Sequence, residues 1–261
     1  MTFKVATFNA NSVRARQAII LDWLEREAPD VLCLQETKVQ DKDFPADAFE
    51  RAGYAVAFRG QKSYNGVSVA SRLPLSDLRV DLSEDGADEE ARFISAKVGS
   101  LSLINVYVPQ GYAVGTERFE KKLTWLRDLL FHLRVAYDPG TPLVITGDFN
   151  VAHDDRDVYD PKGMDGQVCF HPDERAILQE LLDWGLVDVL RKHEPGDGVY
   201  TFWDYRIPNG VKRNLGWRID YILATPPLAE TSVGVRVDRD ARLLEKPSDH
   251  TFLCAEFQIR P

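Results

Sequence analysis

The side chains of this chain that could do chemistry stand at the ends of apolar, strand-like runs. One group is Pro247-Ser248-Asp249-His250, an Asp-His pair directly before the apolar run 251–257. Five more polar residues share one property, which is that each follows or interrupts an apolar run: Asn9, Glu36, Asp148, Asn150 and Asp220. Ligand sites in layered sheets commonly lie just beyond strand ends. We therefore expect these side chains to meet at one edge of the fold.

The types of these residues indicate which chemistry such a site would perform. Carboxylates from several strands can lie together only if a cation or donors compensate their charge. Carboxylate and amide oxygens, without a cysteine or histidine cluster, favour Mg²⁺ or Mn²⁺ over zinc. A phosphodiester anion repels hydroxide, so its hydrolysis needs a metal, hydrogen-bond donors and a base that positions water. The set predicts a metal-assisted phosphodiester hydrolase.

Taken singly, each signal also has a purely structural interpretation. Gly147-Asp148-Phe149-Asn150 is typical of a turn after a strand, and Gln35-Glu36-Thr37-Lys38 of a helix cap. Ser248-Asp249-His250 is compatible with an exposed turn. Asp220 is harder to explain in this way, because the apolar residues around it would bury its carboxylate. The joint occurrence of these signals is much more specific than any one of them.

The elements that would position these residues follow from apolar periodicity and turn residues. Strands are predicted over 3–8, 31–34, 54–58, 67–70, 93–98, 101–108, 143–146, 219–224, 233–237 and 251–259. Helices are predicted over 13–27, 116–137 and 173–184. Asn65-Gly66 and Gly99-Ser100 are typical of hairpin turns, and residues 154–166 form the longest stretch without a predicted element.

This pattern predicts an α/β fold in which two mixed β-sheets pack face to face between outer helices, a four-layered sandwich. A strictly alternating parallel fold is not expected, since strands outnumber helices and hairpins join many of them. The chain contains no linker rich in Ser, Gly or Pro, no low-complexity tract and no internal repeat. We therefore expect a single domain over residues 1–261, and nothing in the sequence suggests an obligate dimer.

Composition places the chain among ordinary globular proteins, with 44% hydrophobic and 28% charged residues. No run approaches the ~18 apolar residues of a membrane helix, and the N-terminus lacks the pattern of a signal peptide. Cys33, Cys169 and Cys254 are far apart, which argues against a disulfide framework or a zinc site. Cys33 and Cys254 lie in apolar runs and are expected in the core. A cytoplasmic protein is expected.

The net charge of −9 looks unfavourable for a protein that binds nucleic acid. Its distribution removes much of the objection, because residues 81–90 hold six acids and residues 153–160 contribute a further −3. Residues 205–219 carry four cations and no acid. A local basic patch of this kind can contact phosphates, although four cations on a loop can also be merely solvated.

At this point the motifs resemble a known family, the exonuclease III family of abasic-site endonucleases within the DNase I-like superfamily. The resemblance spans nearly the whole chain, in the order that the family has. It is carried by Asn9-Ala10-Asn11, Leu34-Gln35-Glu36-Thr37-Lys38, residues 105–111, Gly147-Asp148-Phe149-Asn150, residues 200–203, Trp217-Arg218-Ile219-Asp220-Tyr221 and Pro247-Ser248-Asp249-His250.

The resemblance implies a Mg²⁺ site, for which Mn²⁺ is a possible substitute. Glu36 would be the main ligand, and the other metal-binding positions would be Asn9, Asn11 and Asp249. Asn11 stands where some family members have an acid, a departure that could weaken or relocate the metal.

The resemblance also implies catalytic roles. Asp148 would orient or deprotonate the attacking water. His250, held by Asp249, would bind the scissile phosphate or serve as the base, and this choice stays open. Asn150 and Tyr107 would contact the phosphate or the leaving oxygen. Asp220 would support the site from behind.

Substrate selection would rest on a separate set of residues. In the family an apolar pocket admits a flipped-out sugar without its base, and Phe202, Trp217 and Ile219 match that pocket. Trp217 and Ile219 share a strand face by period-two alternation, although both aromatic residues could also be ordinary core. Arg206 falls where a side chain could enter the duplex. The expected phosphate contacts are Lys38, Lys121, Lys122 and Arg213.

The function that the resemblance implies is Mg²⁺-dependent cleavage of double-stranded DNA on the 5′ side of an abasic site. It would leave a 3′-hydroxyl, with 3′–5′ exonuclease trimming of 3′ ends, in the cytoplasm at the nucleoid and as a monomer. No clear counterpart of the minor-groove arginine of animal members follows Gly111, so the balance of the two activities is open. One alternative is a hydrolase of the same architecture on inositol phosphates, sphingomyelin or RNA tails. Another is a non-catalytic nucleic-acid-binding relative.

Overall fold

The computed structural model describes residues 2–83 and 89–259. Within these ranges the strands are β1 Phe3–Asn9, β2 Val31–Gln35, β3 Ala55–Arg59, β4 Val67–Ser71, β5 Leu75–Arg79, β6 Phe93–Val98, β7 Leu101–Tyr107, β8 Leu143–Asp148, β9 Val187–Asp188, β10 Asp220–Ala224, β11 Ser232–Asp238 and β12 Phe252–Phe257. The helices are α1 Gln17–Glu27, α2 Ala46–Arg51, α3 Glu117–Ala136, α4 Pro161–Met164, α5 Pro172–Asp183, α6 Val189–His193, α7 Gly210–Arg213 and α8 Pro226–Ala229.

The strands form two mixed sheets of six strands each. The first has the order β11-β12-β1-β2-β4-β3 and the second the order β5-β6-β7-β8-β10-β9. β1 runs parallel to β2 and antiparallel to β12, while β8 runs parallel to β7 and antiparallel to β10. The predicted fold class of two packed mixed sheets between helices is confirmed.

Three apolar layers hold the sandwich together. The facing sides of the sheets bury a core that includes Val5, Val31 and Leu103. The outer side of the first sheet packs on α1 and α2, and the outer side of the second packs on α3 and α5. Cys33 and Cys254 are buried, as predicted, and both are free thiols.

The two longest helices begin where the sequence supplies caps. The Thr116 side chain accepts a hydrogen bond from the Phe119 amide and starts α3. α5 has Pro172 in its first turn, and the Glu174 side chain accepts from the His171 amide in a capping box. Predicted and observed bounds of these helices agree within one residue.

Several predicted elements were wrong in their details. The first helix begins at Gln17 rather than at residue 13, because residues 13–16 form a turn that ends at the N-cap Arg16, whose φ of −110° and ψ of 9° are not helical. Asn65-Gly66 does not form a two-residue hairpin turn, since seven residues, 60–66, separate β3 from β4. The stretch 154–166 contains a 3-10 turn at Asp155–Asp157 and helix α4.

Two strands were not predicted. β5 is mostly exposed and β9 has two residues, so neither shows the apolar pattern of a core strand. Part of the acidic run 81–90 lies outside the described residues. In the part of the chain that the structure describes, none of the helices has the length and apolar character needed to cross a membrane.

Candidate active site

The polar residues at the strand ends meet at one edge of the sandwich, between the two sheets. Asn9 ends β1 and Asp148 ends β8, and Asp220 begins β10 directly opposite Asp148 in the antiparallel register. Glu36 follows β2, and His250 precedes β12, which runs antiparallel to β1. Sheet topology therefore brings residues separated by more than 200 positions into one cleft.

Asn9 connects the two sheets at the centre of this site. Its Nδ2 atom lies 2.8 Å from Oε1 of Glu36 and 2.8 Å from Oδ2 of Asp148. Its Oδ1 atom accepts a hydrogen bond of 3.0 Å from the Asn11 amide. Because Asn9 is fully buried, these bonds fix the spacing of the two carboxylates.

His250 lies between two buried carboxylates. Its Nδ1 atom is 2.8 Å from Oδ2 of Asp220, and its Nε2 atom is 3.7 Å from Oδ2 of Asp148. Burial disfavours the charged imidazolium, but Asp220 and Asp148 outweigh it and raise the pKa of His250 to about 10. Burial raises the pKa of Asp148 to about 7, although the charge of His250 opposes the shift.

The expectation that Asp249 holds His250 is wrong. The Oδ1 atom of Asp249 instead accepts a hydrogen bond of 3.0 Å from Nδ2 of Asn11. Asp249 therefore faces the loop after β1, while His250 faces Asp220.

The predicted metal-binding residues lie together on the more open side of the site. Glu36 adopts a left-handed conformation, with φ of 49°, and its Oε2 atom pairs with Nζ of Lys38 at 2.7 Å. Burial disfavours its ionised form, but the Lys38 charge and the hydrogen bonds from Lys38 and Asn9 together lower the pKa of the Glu36 carboxyl. The Lys38 ammonium also donates to Oδ1 of Asn11.

This donor set fits a hard divalent cation, because it offers carboxylate and amide oxygens and a carboxylate that is held ionised. Outside this set, Oδ1 of Asp220 is buried and accepts no hydrogen bond. The ligand atoms of Asp148, Asp220 and His250 lie within 4.8 Å of one another and form a separate cluster, in which His250 is paired with both carboxylates.

Tyr107 and Asn150 complete the wall formed by the second sheet. Burial and the carboxylates of Glu36 and Asp148 raise the pKa of Tyr107 well above its usual value, so its hydroxyl keeps its proton. Asn150 has a φ of 51° and its amide donates to Oδ1 of Asp148 at 2.9 Å. Both residues therefore offer hydrogen-bond donors beside the acids.

The three residues predicted to form an apolar pocket lie in one cluster beside His250. The Phe202 ring centroid lies 5.6 Å from that of Trp217 and 4.9 Å from that of His250. Ile219 is buried in the same cluster, whereas Phe202 and Trp217 are only partly buried. Val158 and Phe170 belong to this cluster too and were not predicted, since loop residues show no periodicity.

A buried polar bridge beneath the site was also missed. Nε2 of Gln35 donates to Oδ1 of Asn105 at 2.6 Å and to Oγ1 of Thr7 at 2.9 Å. Nδ2 of Asn105 donates back to the carbonyls of Leu34 and Ser68 across the sheet interface. The signal that could have found Asn105 is the one that found Asp220, a polar residue inside an apolar strand.

The cations predicted to contact DNA, either at phosphates or, for Arg206, inside the duplex, include both exposed and buried residues. Lys121, Arg206 and Arg213 are exposed; Lys121 pairs with Glu117 and Arg206 with Asp204. The expectation for Lys122 is wrong, because its side chain is fully buried and pairs with Glu174.

Arg218 likewise does not belong to a basic surface patch. It is fully buried, and it binds both carboxylate oxygens of Asp157 at 2.6 and 2.9 Å and Oδ2 of Asp188 at 2.6 Å. Arg191 pairs with the same Asp157. This ion-pair network ties the loop after β8 to the segment that carries Trp217 and Asp220, and so positions the pocket next to the acids.

Comparison with known proteins agrees with this geometry. The sequence profile described as the Endonuclease/Exonuclease/phosphatase family matches residues 6–250. Exodeoxyribonuclease III of Haemophilus influenzae is 36% identical over 98% of this chain and 100% of its own length.

Solved structures give the same result. An AP endonuclease from Archaeoglobus fulgidus superposes with a TM-score of 0.95 at 45% identity, over 98% of this chain and 100% of that one. A 3′ phosphatase from Neisseria bound to product DNA hairpin gives a TM-score of 0.94 at 38% identity, over 98% and 100% of the two chains. The chain therefore belongs to the Endonuclease/Exonuclease/phosphatase family and, within it, to the exonuclease III family of AP endonucleases.

Proposed function

We propose that this protein is a Mg²⁺-dependent DNA repair hydrolase that cleaves the phosphodiester on the 5′ side of an abasic site. Cleavage leaves a 3′-hydroxyl, and the same site trims 3′ ends. The protein works as a monomer on double-stranded DNA, in the cytoplasm at the nucleoid. The relatives named exodeoxyribonuclease III and AP endonuclease support both activities.

One observation carries most of the proposal, the contact between the apolar pocket and the catalytic histidine. Phe202 packs on His250 with ring centroids 4.9 Å apart, and the Trp217 and Phe202 centroids are 5.6 Å apart. A sugar without its base offers an apolar face that such a pocket can bind, and the missing base lowers the cost of flipping. The sugar would then place its 5′ phosphate beside the acids.

Within this proposal each side chain has one task at the phosphate. Asp148 receives the proton of the attacking water; its pKa near 7 suits a base at neutral pH. His250 is charged and donates from Nε2 to a phosphoryl oxygen, while Asp220 holds Nδ1 and thereby fixes the ring. Asn150 and the protonated Tyr107 donate to the phosphate or the leaving oxygen.

Four residues would hold the metal ion: Glu36, Asn9, Asn11 and Asp249. When bound, Mg²⁺ supplies positive charge that offsets the charge developing on the phosphate. Lys38 helps to hold the Glu36 carboxyl in its ionised form, which is the form that would bind the cation.

A second candidate function is 3′-end processing as the main activity. It is favoured by the solved relative described as a 3′ phosphatase, which covers 98% of this chain. A terminal phosphate would occupy the same acids without a flipped sugar, so this activity requires less of the apolar pocket.

The test compares substrates and metals directly. Purified protein is mixed with duplex DNA that carries one abasic analogue, with a duplex that ends in a 3′ phosphate, and with an undamaged duplex, each in Mg²⁺, Mn²⁺ or EDTA. We expect incision 5′ to the analogue in Mg²⁺ and none in EDTA. Phosphate release without incision would favour the second candidate. A chelator-resistant DNA complex without either product would indicate a binding protein. The absence of incision, of phosphate release and of a DNA complex would contradict the proposal.

A further inference from the structure

A buried lysine behind the catalytic turn has a role that the sequence does not suggest. Lys122 lies on α3, and neither it nor its partner Glu174 on α5 exposes any side-chain surface. Burial of an ammonium and a carboxylate is costly unless each is paired and hydrogen-bonded. The buried Lys122–Glu174 pair is therefore expected to make hydrogen bonds that two apolar side chains could not make.

The contacts of the Lys122 ammonium identify what it provides. Nζ donates to the carbonyl oxygen of Asn150 at 2.7 Å, to that of Gln110 at 3.2 Å and to Sγ of Cys169 at 3.9 Å, and it forms an ion pair with Oε1 of Glu174. An ammonium has three N–H donors, and these three hydrogen bonds use all of them. Lys122 consequently has no donor left for a phosphate, and its charge is directed at the backbone of two loops.

Asn150 needs this support because it stands in a left-handed turn, which a non-glycine residue adopts only at a cost. Its amide donates to Asp148 and its Nδ2 atom donates to the Val108 carbonyl at 3.0 Å. Those two bonds hold the amide and the side chain, and Lys122 supplies the bond to the carbonyl.

The other end of the ion pair is fixed independently. Oε2 of Glu174 accepts a hydrogen bond of 3.0 Å from the His171 amide in the capping box of α5. The stem of Lys122 packs on Gly111, where an added Cβ would lie 3.0 Å from Lys122 Cδ. Gly111 also has a φ of 92°. A residue with a side chain at this position of the loop after β7 would therefore be strained and would press on the Lys122 stem.

We propose that Lys122, charge-balanced by Glu174, is a positioning residue that sets the Asn150 turn and the Gln110 loop against the scissile phosphate. The inference deepens the proposed function, because it depends on Asn150 donating to the phosphate or leaving oxygen. Lys122 itself touches no substrate. It acts through the backbone of Asn150, so its loss lowers turnover rather than substrate binding.

The experiment is a mutant cycle. Lys122→Met together with Glu174→Gln removes both charges and leaves none buried alone. We expect this double variant to lower kcat roughly tenfold, the effect of one hydrogen bond to a charged group, with KM changed less than about twofold. Lys97→Met with Asp77→Asn removes an exposed ion pair on β5 and β6 and serves as the matched control, with kcat unchanged.

Coupling to Asn150 separates positioning from a general loss of stability. Asn150→Ala is measured alone and in the double-variant background, where we expect almost no additional loss of kcat because both changes remove the same contribution. Losses that multiply, or an unchanged kcat in the folded double variant, would overturn the inference.

Two further arms keep the outcome decisive. If the double variant does not fold, Lys122→Arg is used instead. Arginine retains the positive charge, but its planar guanidinium cannot direct one nitrogen at the carbonyls of Asn150 and Gln110 and the carboxylate of Glu174 together. We expect it to fold and still lower kcat, and a wild-type kcat would overturn the inference. All variants are also assayed on bis(p-nitrophenyl) phosphate with Mg²⁺. Wild-type turnover of this diester without incision of abasic DNA would refute the proposed substrate, while the cycle still reports on Lys122.

Discussion

Oδ2 of Asp220 lies 2.8 Å from Nδ1 of His250, and Asp220 itself stands opposite Asp148 in the register of β10 and β8. The strand pairing that builds the second sheet therefore also places the histidine. Oδ2 of Asp148 lies 3.7 Å from Nε2 of His250. His250 is oriented by the sheet and not by its neighbour in sequence.

This arrangement predicts different outcomes for the two acids near His250. Asp220→Asn should lower kcat by roughly 10³-fold, because an uncharged amide no longer stabilises the imidazolium that donates to the phosphate. Asp249→Asn should mainly raise the Mg²⁺ concentration for half-maximal activity, since Asp249 bonds to Asn11. Steady-state kinetics over a Mg²⁺ titration measures both. Equal losses of kcat in the two variants would contradict the assignment.

Asp148→Asn should abolish incision while DNA binding persists. The change removes the proposed base and keeps the volume of the side chain, so we expect kcat to fall by at least about 10³-fold. The Kd for an abasic duplex in EDTA should change by less than roughly tenfold. Glu25→Gln on the exposed side of α1 is the control. Near-normal incision by Asp148→Asn would show that another residue is the base.

Trp217→Ala should weaken selection for the abasic sugar more than it weakens metal binding. The indole is partly buried in the pocket cluster, and loss of such an apolar contact costs about a tenfold factor in discrimination. The measurement is kcat/KM for an abasic duplex relative to that for 3′-end trimming. Trp125→Ala removes a tryptophan of α3 that is partly buried against the apolar cluster of α3, α5 and the second sheet and should leave the ratio unchanged. A shifted Mg²⁺ requirement with an unchanged ratio would instead indicate a structural role for Trp217.

Asp157→Asn should destabilise the protein in a pH-dependent way. Burial disfavours the Asp157 carboxylate, but Arg218 and Arg191 outweigh burial and lower its pKa in the folded state. Such a group stabilises the fold fully above its unfolded pKa of about 3.9, and the contribution is lost as pH falls toward the folded pKa. We expect a loss of about 3 kcal/mol at neutral pH.

Denaturant unfolding of wild type and variant checks the pH dependence. The difference in unfolding free energy should be constant from about pH 7 to pH 5 and shrink as pH falls below about 4. Asp155→Asn, an exposed neighbour, should differ from wild type by less than about 0.5 kcal/mol at every pH. A gap for Asp157→Asn that does not change with pH would contradict the ion-pair explanation.

The sequence was sufficient to predict the layers of the fold and the convergence of the site residues at one edge. Apolar runs that end in Asn9, Glu36 and Asp148 indicate strand ends, and parallel pairing collects such ends at one edge. It was not sufficient for the partner of His250, because Asp249 is adjacent in the chain whereas Asp220 becomes adjacent only through the register of β8 and β10.

The charged side chains show the same limit. Lys121 and Lys122 are consecutive on α3, yet the first is exposed and the second fully buried. Consecutive helical residues point about 100° apart, and only the packing of α5 decides which of them is covered. The prediction of Arg218 in a basic patch fails in a similar way, because its partners Asp157 and Asp188 lie at distant positions in the chain.

The position of β12 has a consequence for the newly synthesised chain. This strand lies between β1 and β11 in the first sheet, and His250 stands two residues before its first residue. While residues 250–257 are still inside the ribosome, β1 and β11 cannot pair through it, and the site lacks its histidine. A chain that stops before residue 250 therefore lacks both β12 and the histidine, so its first sheet and its site are incomplete.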